Sequence, residues 1–177
     1  MYRTKSHYFI GSSNTDMVIK SKKLSVPGET ILGVTFLMKP GGKGANQVVA
    51  SASLGGNVTF VTKIGNDIFG SKAIQLFEFE GINSHYVIKD TKNPSGVVLI
   101  TVDDNGENSI VVAPGSSGTL SASDIKNGVF KTNLSDIFLS QLEVPVETVE
   151  FVATKAAASV AGIGAQASPQ YRREIFN

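Results

Sequence analysis

The sequence predicts an α/β fold: a mostly parallel sheet covered by helices on both faces, with a small second sheet beside it. Three observations lead there. Apolar strand-like runs alternate with helical segments at both ends of the chain. A cluster of strands interrupts this alternation in the middle, two of them joined by the hairpin signal "DNGEN". Glycines close the helical segments, as at Gly55-Gly56 and Gly81.

Each element follows in order. "HYFIGSSNTD" is a buried strand ending in a small-residue loop, and "VIKSKKLSVPGETILGVTFLMKPGGKG" holds short extended segments around a turn at Pro27-Gly28. Small apolar residues from Ala45 to about Leu54 suit a helix packed closely on a sheet. "NVTFVTKIG" is a second buried strand. In "DIFGSKAIQLFEFEG", Ile68, Ala73, Leu76 and Phe77 fall near helical spacing. "HYVIKD", "SGVVLITVDD" and "NSIVVAPG" are strands, assigned with those between Val18 and Leu37 to the small sheet. "SASDIKNGVF" is a short helix capped by Ser or Asp, "SDIFLSQLE" a buried strand, and "PVETVEFVATKAAA" a helix with proline near its first turn. Residues 158–177 form an atypical tail that lacks the apolar run expected after such a helix.

Length and composition narrow the function classes. A chain of 177 residues suits one domain with a sizeable core. Lys plus Arg total 16 against 15 acidic residues, so charge offers no case for nucleic acid or an anionic membrane. The absence of cysteine excludes disulfides, thiol nucleophiles and Cys-ligated zinc. The N-terminus does not read as a signal peptide, and "GVVLITV" is too short to span a bilayer. A cytoplasmic protein is expected.

The chemistry centres on "KPGGKGANQ" from Lys39. A Walker A loop needs Ser or Thr after its lysine, and here Gly44 follows Lys43. Gly162-Ile163-Gly164 lacks the third glycine of a dinucleotide fingerprint. Glycines at a helix start still admit a ligand to the backbone and offer unpaired N–H donors, with Lys43 and Asn46 beside them. The same cluster also reads as a tight turn with a solvated lysine. Two further polar groups follow strands: Asn14 and Asp16 in "GSSNTD", and Glu143 after "DIFLSQLE". Facing Gly42 and Lys43, they make a site for a neutral polyol, because a carboxylate accepts from adjacent hydroxyls. Singly, Asp16 also reads as a cap or turn residue and Glu143 as a surface acid. His7 and His85 have no metal-ligand spacing, and Asp103, Asp104, Glu107, Arg172 and Arg173 read as solvated.

Together these residues resemble the ribokinase branch of the PfkB-type carbohydrate kinases. The match lies in "GSSNTD" at 11–16, "PGET" at 27–30, "GGKGANQ" at 41–47, "IGNDIFG" at 64–70, "SGVVLITVDDNGENSIVVAPGS" at 95–116 and "LSQLEVP" at 139–145. Gly55 and Gly65 keep the spacing of the family's first signature; Val48 departs from it, standing where a small residue is usual. The resemblance covers about residues 5–157. It implies a ribokinase-like, Rossmann-type body with a small β lid, placed within about 17–37 and 85–113, that supplies a homodimer contact. It implies that Asn14, Thr15, Asp16, Gly42, Lys43, Gly44, Ala45, Asn46 and Glu143 surround a sugar. It also implies phosphoryl transfer from ATP to ribose, with magnesium and a monovalent cation, K+.

The family's catalytic aspartate lies in a G-A-G-D segment that these residues do not contain. The expectation is therefore a truncated chain that binds sugar, carries no catalytic residue, binds neither ATP nor metal by itself, does not phosphorylate and is marginally stable. A non-catalytic sugar-binding or dimerising remnant is the alternative, as is another kinase of the family acting on fructose, a keto-deoxy sugar acid or a nucleoside.

Overall fold

The structure, a computed structural model, describes residues 6–126, 137–157 and 163–167. Its main sheet has five strands in the order β5-β4-β1-β8-β9. These are β1 (Ser6–Ile10), β4 (Asn57–Gly65), β5 (Asn83–Asp90), β8 (Ile137–Leu142) and β9 (Ile163–Ala167), and every neighbouring pair is parallel. Parallel neighbours need crossover connections. Two of these contain α2 (Ile68–Phe79) and α4 (Val146–Ala157).

Both faces of the sheet are covered, and β4 is buried along nearly its whole length. On one face, Ala45 and Val48 of α1 (Lys43–Ser53) and Phe77 of α2 pack on Phe9, Val58 and Phe60. On the other, Ile125 of α3 (Ala122–Lys126) with Val149 and Val152 of α4 pack on Ile10, Val61 and Phe138. Phe60 and Phe77 meet edge to face at 5.1 Å. Each such fully buried side chain contributes about 1.5–3 kcal/mol. Val48, unusual in size at its position, is fully buried in this core.

The second sheet has the order β3-β2-β6-β7 and stands off the body. It comprises β2 (Asn14–Lys20), β3 (Thr35–Gly41), β6 (Gly96–Val102) and β7 (Asn108–Ala113). The β6–β7 hairpin closes where the Asp103 carboxylate accepts from the N–H groups of Asn105 (2.9 Å) and Glu107 (3.0 Å). Residues Thr35 to Pro40 and all of β7 are exposed, so this sheet has no core of its own.

Three expectations are corrected. "HYVIKD" does not join the small sheet; it is β5, parallel to β4, because the α2 crossover returns the chain to the main sheet. The small sheet begins earlier than Met17, at Asn14, so Asn14 and Asp16 lie on a strand rather than in a loop. Within the tail, "IGAQA" forms β9 beside β8, its backbone pairing needing no long apolar run. The C-terminal part of "SASDIKNGVF", Arg172 and Arg173 lie outside the described residues.

The junction between the sheets is stitched by buried polar groups. Asp67 caps α2 through Gly70 N–H (2.8 Å) and accepts from Ser95 N–H (2.8 Å) and Ser95 Oγ (2.7 Å). Ser116 donates to the carbonyls of Asn93 and Pro94, and Ser117 Oγ to that of Ser13. The Asp90 carboxylate accepts from the Asn93 side-chain amide (2.9 Å), Lys92 N–H (2.8 Å) and Asn93 N–H (3.2 Å). The Asn93 amide first, then the Lys92 N–H, hold its pKa well below the usual aspartate value. A carboxylate with a depressed folded pKa stabilises fully above its unfolded pKa and loses that contribution as pH falls toward the folded one. Asp90→Asn is therefore expected to reduce stability at pH 7, with the deficit shrinking below about pH 4. Urea unfolding at pH 7 and pH 3 checks this, and an equal deficit at both contradicts it.

Candidate functional site

The candidate site lies past the C-terminal ends of β1 and β8, where α1 begins and β2 leaves for the small sheet. Such a crevice outside the strand ends is the usual ligand position in an open parallel sheet. Glu143 follows β8 directly. Its Oε2 accepts from Ser12 Oγ at 2.6 Å and from Lys43 N–H at 3.0 Å. Its Oε1 lies 3.0 Å from Lys43 Nζ, an ion pair that is about one quarter exposed. Burial pushes the Glu143 carboxyl up, but the Ser12 hydroxyl and then Lys43, through its N–H and its ammonium, bring it below the usual glutamate value. Glu143 is thus a carboxylate with most of its acceptor capacity already engaged.

The start of α1 differs from the expected row of unpaired donors. Its N-cap, Gly42, has φ 93° and offers no side chain. Lys43 N–H goes to Glu143, Ala45 N–H to the Ser12 carbonyl (3.0 Å), and Gly44 N–H reaches Ser12 Oγ at 3.5 Å. The protein itself has satisfied the helix end, so this terminus is no phosphate cradle.

Asp16 stands opposite in chemical character. Burial first, and the nearby Glu143 charge second, raise its pKa, and no hydrogen bond among the described residues offsets them. Beside it, Asn14 is 8% exposed, and its Oδ1 is buried with no partner among the described residues. An unsatisfied buried acceptor costs about 1–3 kcal/mol. Both groups gain from a ligand that donates hydrogen bonds. Their placement depends on glycines across the strands. Gly41 and Gly96 sit in register with Asn14 on either side of it. A Cβ on Gly41 would come within 2.2 Å of the Asp16 carboxylate, and one on Gly96 within 2.1 Å of Asn14 Oδ1.

The structure therefore brings Asn14, Asp16, Gly42, Lys43 and Glu143 to one mouth, with Asn46 exposed one turn further along α1. Three expected contacts turn away. Thr15 alternates to the opposite face of β2 from Asn14 and Asp16. Ala45 is 4% exposed, within the core. Gly44 is buried against the backbone of Ser12, where a Cβ would lie 2.6 Å from its carbonyl oxygen. Sequence reasoning passed over Ser12, Gly41, Gly96 and the buried Gln141, whose Nε2 donates to Gln47 Oε1 and ties β8 to α1. For Ser12 the available signal was the run of small residues, Gly11-Ser12-Ser13, that precedes "NTD". Among the described residues, no group of three His, Asp or Glu side chains could hold a metal. Nor is any helix among them long and apolar enough to cross a membrane.

Comparison with known proteins bears on the family. The pfkB family carbohydrate kinase pattern matches residues 5–171. Ribokinase of Bacillus subtilis is 38% identical over 143 residues, covering 81% of this chain and 48% of that protein. Deoxyribokinase of Salmonella typhi is 39% identical over 140 residues, covering 79% and 46%. The structure of Arabidopsis thaliana ribokinase complexed with ribose and ATP superposes with a TM-score of 0.77 at 25% identity, covering 92% of this chain and 53% of the other. The chain spans about half the length of the curated relatives it matches. With the family pattern matched over most of its length and the ribokinase fold in its two sheets, the chain belongs to the pfkB family of carbohydrate kinases.

Proposed function

We propose that these residues form the sugar-binding part of an ATP-dependent ribokinase, which transfers the γ-phosphoryl group of ATP to the 5-hydroxyl of D-ribose. One observation carries the reading: Asp16, a carboxylate without a hydrogen bond among the described residues, lies beside Asn14 Oδ1, likewise unpartnered among them, at the mouth that Gly42, Lys43 and Glu143 enclose. These acceptors suit adjacent sugar hydroxyls, which donate without bringing charge. Asn46 and the Lys43 ammonium supply donors for the sugar's own oxygens.

The described residues do not fit the nucleotide. The N–H groups that open α1 are engaged, and two carboxylates face the mouth, a negative lining that repels a triphosphate. The work of these side chains is to bind and orient the sugar and to draw its hydroxyls out of water. Positioning of this kind is a large share of phosphoryl-transfer catalysis.

A specific relative favours a second substrate. The deoxyribokinase match is as strong as the ribokinase one, so 2-deoxyribose is the alternative ligand. The two sugars differ by one hydroxyl, and a site built to bond it rejects the sugar that lacks it. The small sheet supports a homodimer: Phe36, Met38, Leu99 and Val111 are between 41% and 63% exposed across adjacent strands. A second copy would cover this apolar band.

Calorimetry with ribose, 2-deoxyribose, fructose and adenosine checks the ligand, and ribose is expected to bind tightest. Asp16→Ala is expected to weaken binding at least about tenfold, the size of one charge-assisted hydrogen bond. Gly41→Ala is expected to do the same by displacing Asp16. Unchanged affinity in both variants would sink the site. Because the Asp16 pKa is raised, ribose affinity is expected to fall with decreasing pH earlier than an ordinary aspartate would require. An affinity that stays flat down to pH 4 contradicts this. Phe36→Asp is expected to shift the chain toward monomer in analytical ultracentrifugation, and an unchanged mass counts against the lid dimer.

A further inference from the structure

We infer that Ser12 is a positioning residue, whose hydroxyl locks Glu143 onto the start of α1 and so sets the wall of the site. The inference rests on the sugar-binding reading above for its consequence, but not for its geometry. Ser12 is 1% exposed, in the turn between β1 and β2. Two of its groups, the hydroxyl and the carbonyl, make three contacts, one to Glu143 and two to α1. Its Oγ donates to Glu143 Oε2 at 2.6 Å, the shorter of the two hydrogen bonds that oxygen accepts. The same Oγ lies 3.5 Å from Gly44 N, and its carbonyl accepts from Ala45 N–H at 3.0 Å. Ser12 thereby fastens the first turn of α1 directly and through Glu143.

The hydroxyl has one proton and gives it to the carboxylate, so its lone pairs are what remain for Gly44 N–H. A donor at this point keeps Glu143 ionised despite its burial, and an ionised Glu143 keeps the Lys43 ammonium in place. Without it, Glu143 would retain only the two Lys43 contacts, and the negative Asp16 would face it less opposed. The charged groups around Glu143 are Lys43 from α1, Asp16 from β2 and Glu147 from the first turn of α4, which lines the same cavity. Of these, only Lys43 favours its ionised form.

The depth of Ser12 and the tight approach of Gly44 explain why the residue must be small. A Cβ on Gly44 would lie 2.6 Å from the Ser12 carbonyl oxygen and 2.7 Å from its nitrogen, so α1 and the Ser12 turn are in direct backbone contact. A merely structural serine would affect how tightly the turn packs. A positioning serine changes the titration of a residue on another element.

Carbon-13 NMR of the glutamate side-chain carboxyls, with Glu143→Gln assigning the resonance, measures that titration without any ligand. In the wild-type chain Glu143 is expected to titrate below the usual glutamate range. In Ser12→Ala its midpoint is expected to rise, with Ser12→Cys, which keeps the volume and only a weak donor, in between. Ribose affinity by calorimetry is expected to fall about tenfold in Ser12→Ala, the size of one hydrogen bond to a charged group. An unmoved Glu143 midpoint in both variants overturns the proposal, whatever happens to affinity. A wild-type midpoint at or above the usual range also overturns it, and needs no variant to fold. Wild-type chain that binds no ribose, together with a shifted Glu143 in Ser12→Ala, refutes the sugar reading and leaves the role of Ser12 standing.

Discussion

The site depends on the Glu143 carboxylate. It leaves the end of β8, and it holds the turn after β1 through Ser12 and the head of α1 through both the backbone and the ammonium of Lys43. Hydrogen bonds to a charged group are worth about 1.5–3 kcal/mol each, roughly twice a neutral one. Three such contacts on one partly buried carboxylate offset its loss of hydration. They also set the division of labour at the mouth. Glu143 is occupied by the protein, while Asp16 and Asn14 keep acceptors for something else. Two carboxylates that are equivalent in the sequence are not equivalent in the fold.

Around that carboxylate, the glycines of "GGKGANQ" have separate reasons to be glycine. Gly41 leaves room for the Asp16 carboxylate on the neighbouring strand. Gly42 takes a positive φ that side chains rarely adopt, which turns β3 into α1. Gly44 lets the helix touch the Ser12 backbone. None of the three is needed to wrap a phosphate. A glycine cluster beside a lysine suggests an anion site only when the N–H groups it exposes are left free, and here Glu143 and Ser12 take them.

Much of this was legible in the sequence. The alternation of strands and helices foretold the covered parallel sheet, and "DNGEN" foretold the hairpin of the small one. Asn14, Asp16 and Glu143 could be picked out because polar residues after buried strands mark the open end of such a sheet, and Lys43 because it sits in a glycine cluster at a helix start. What stayed hidden depended on pairing. Whether "HYVIKD" joins one sheet or the other is decided by the α2 crossover, not by its own residues. β9 carries too weak a pattern to be seen without β8 beside it. Thr15 came only with the family resemblance, and its place became clear once "NTD" proved to be a strand, which sends alternate residues to opposite sides. Ser12 was overlooked because a small polar residue in a turn shows its importance only when a carboxylate 131 positions away comes within 2.6 Å.

The central claim is that the mouth between β2 and α1 receives a sugar. Amide chemical-shift mapping of the 15N-labelled chain on titration with D-ribose tests it most directly. The account predicts that the largest saturable shifts fall on Asn14, Asp16, Gly42, Lys43 and Glu143, with the β6–β7 hairpin at Asp103 and Gly106 unmoved. Shifts centred instead on the apolar groove of His7, Phe9, Leu54 and Leu139, or no shifts at all, would contradict it.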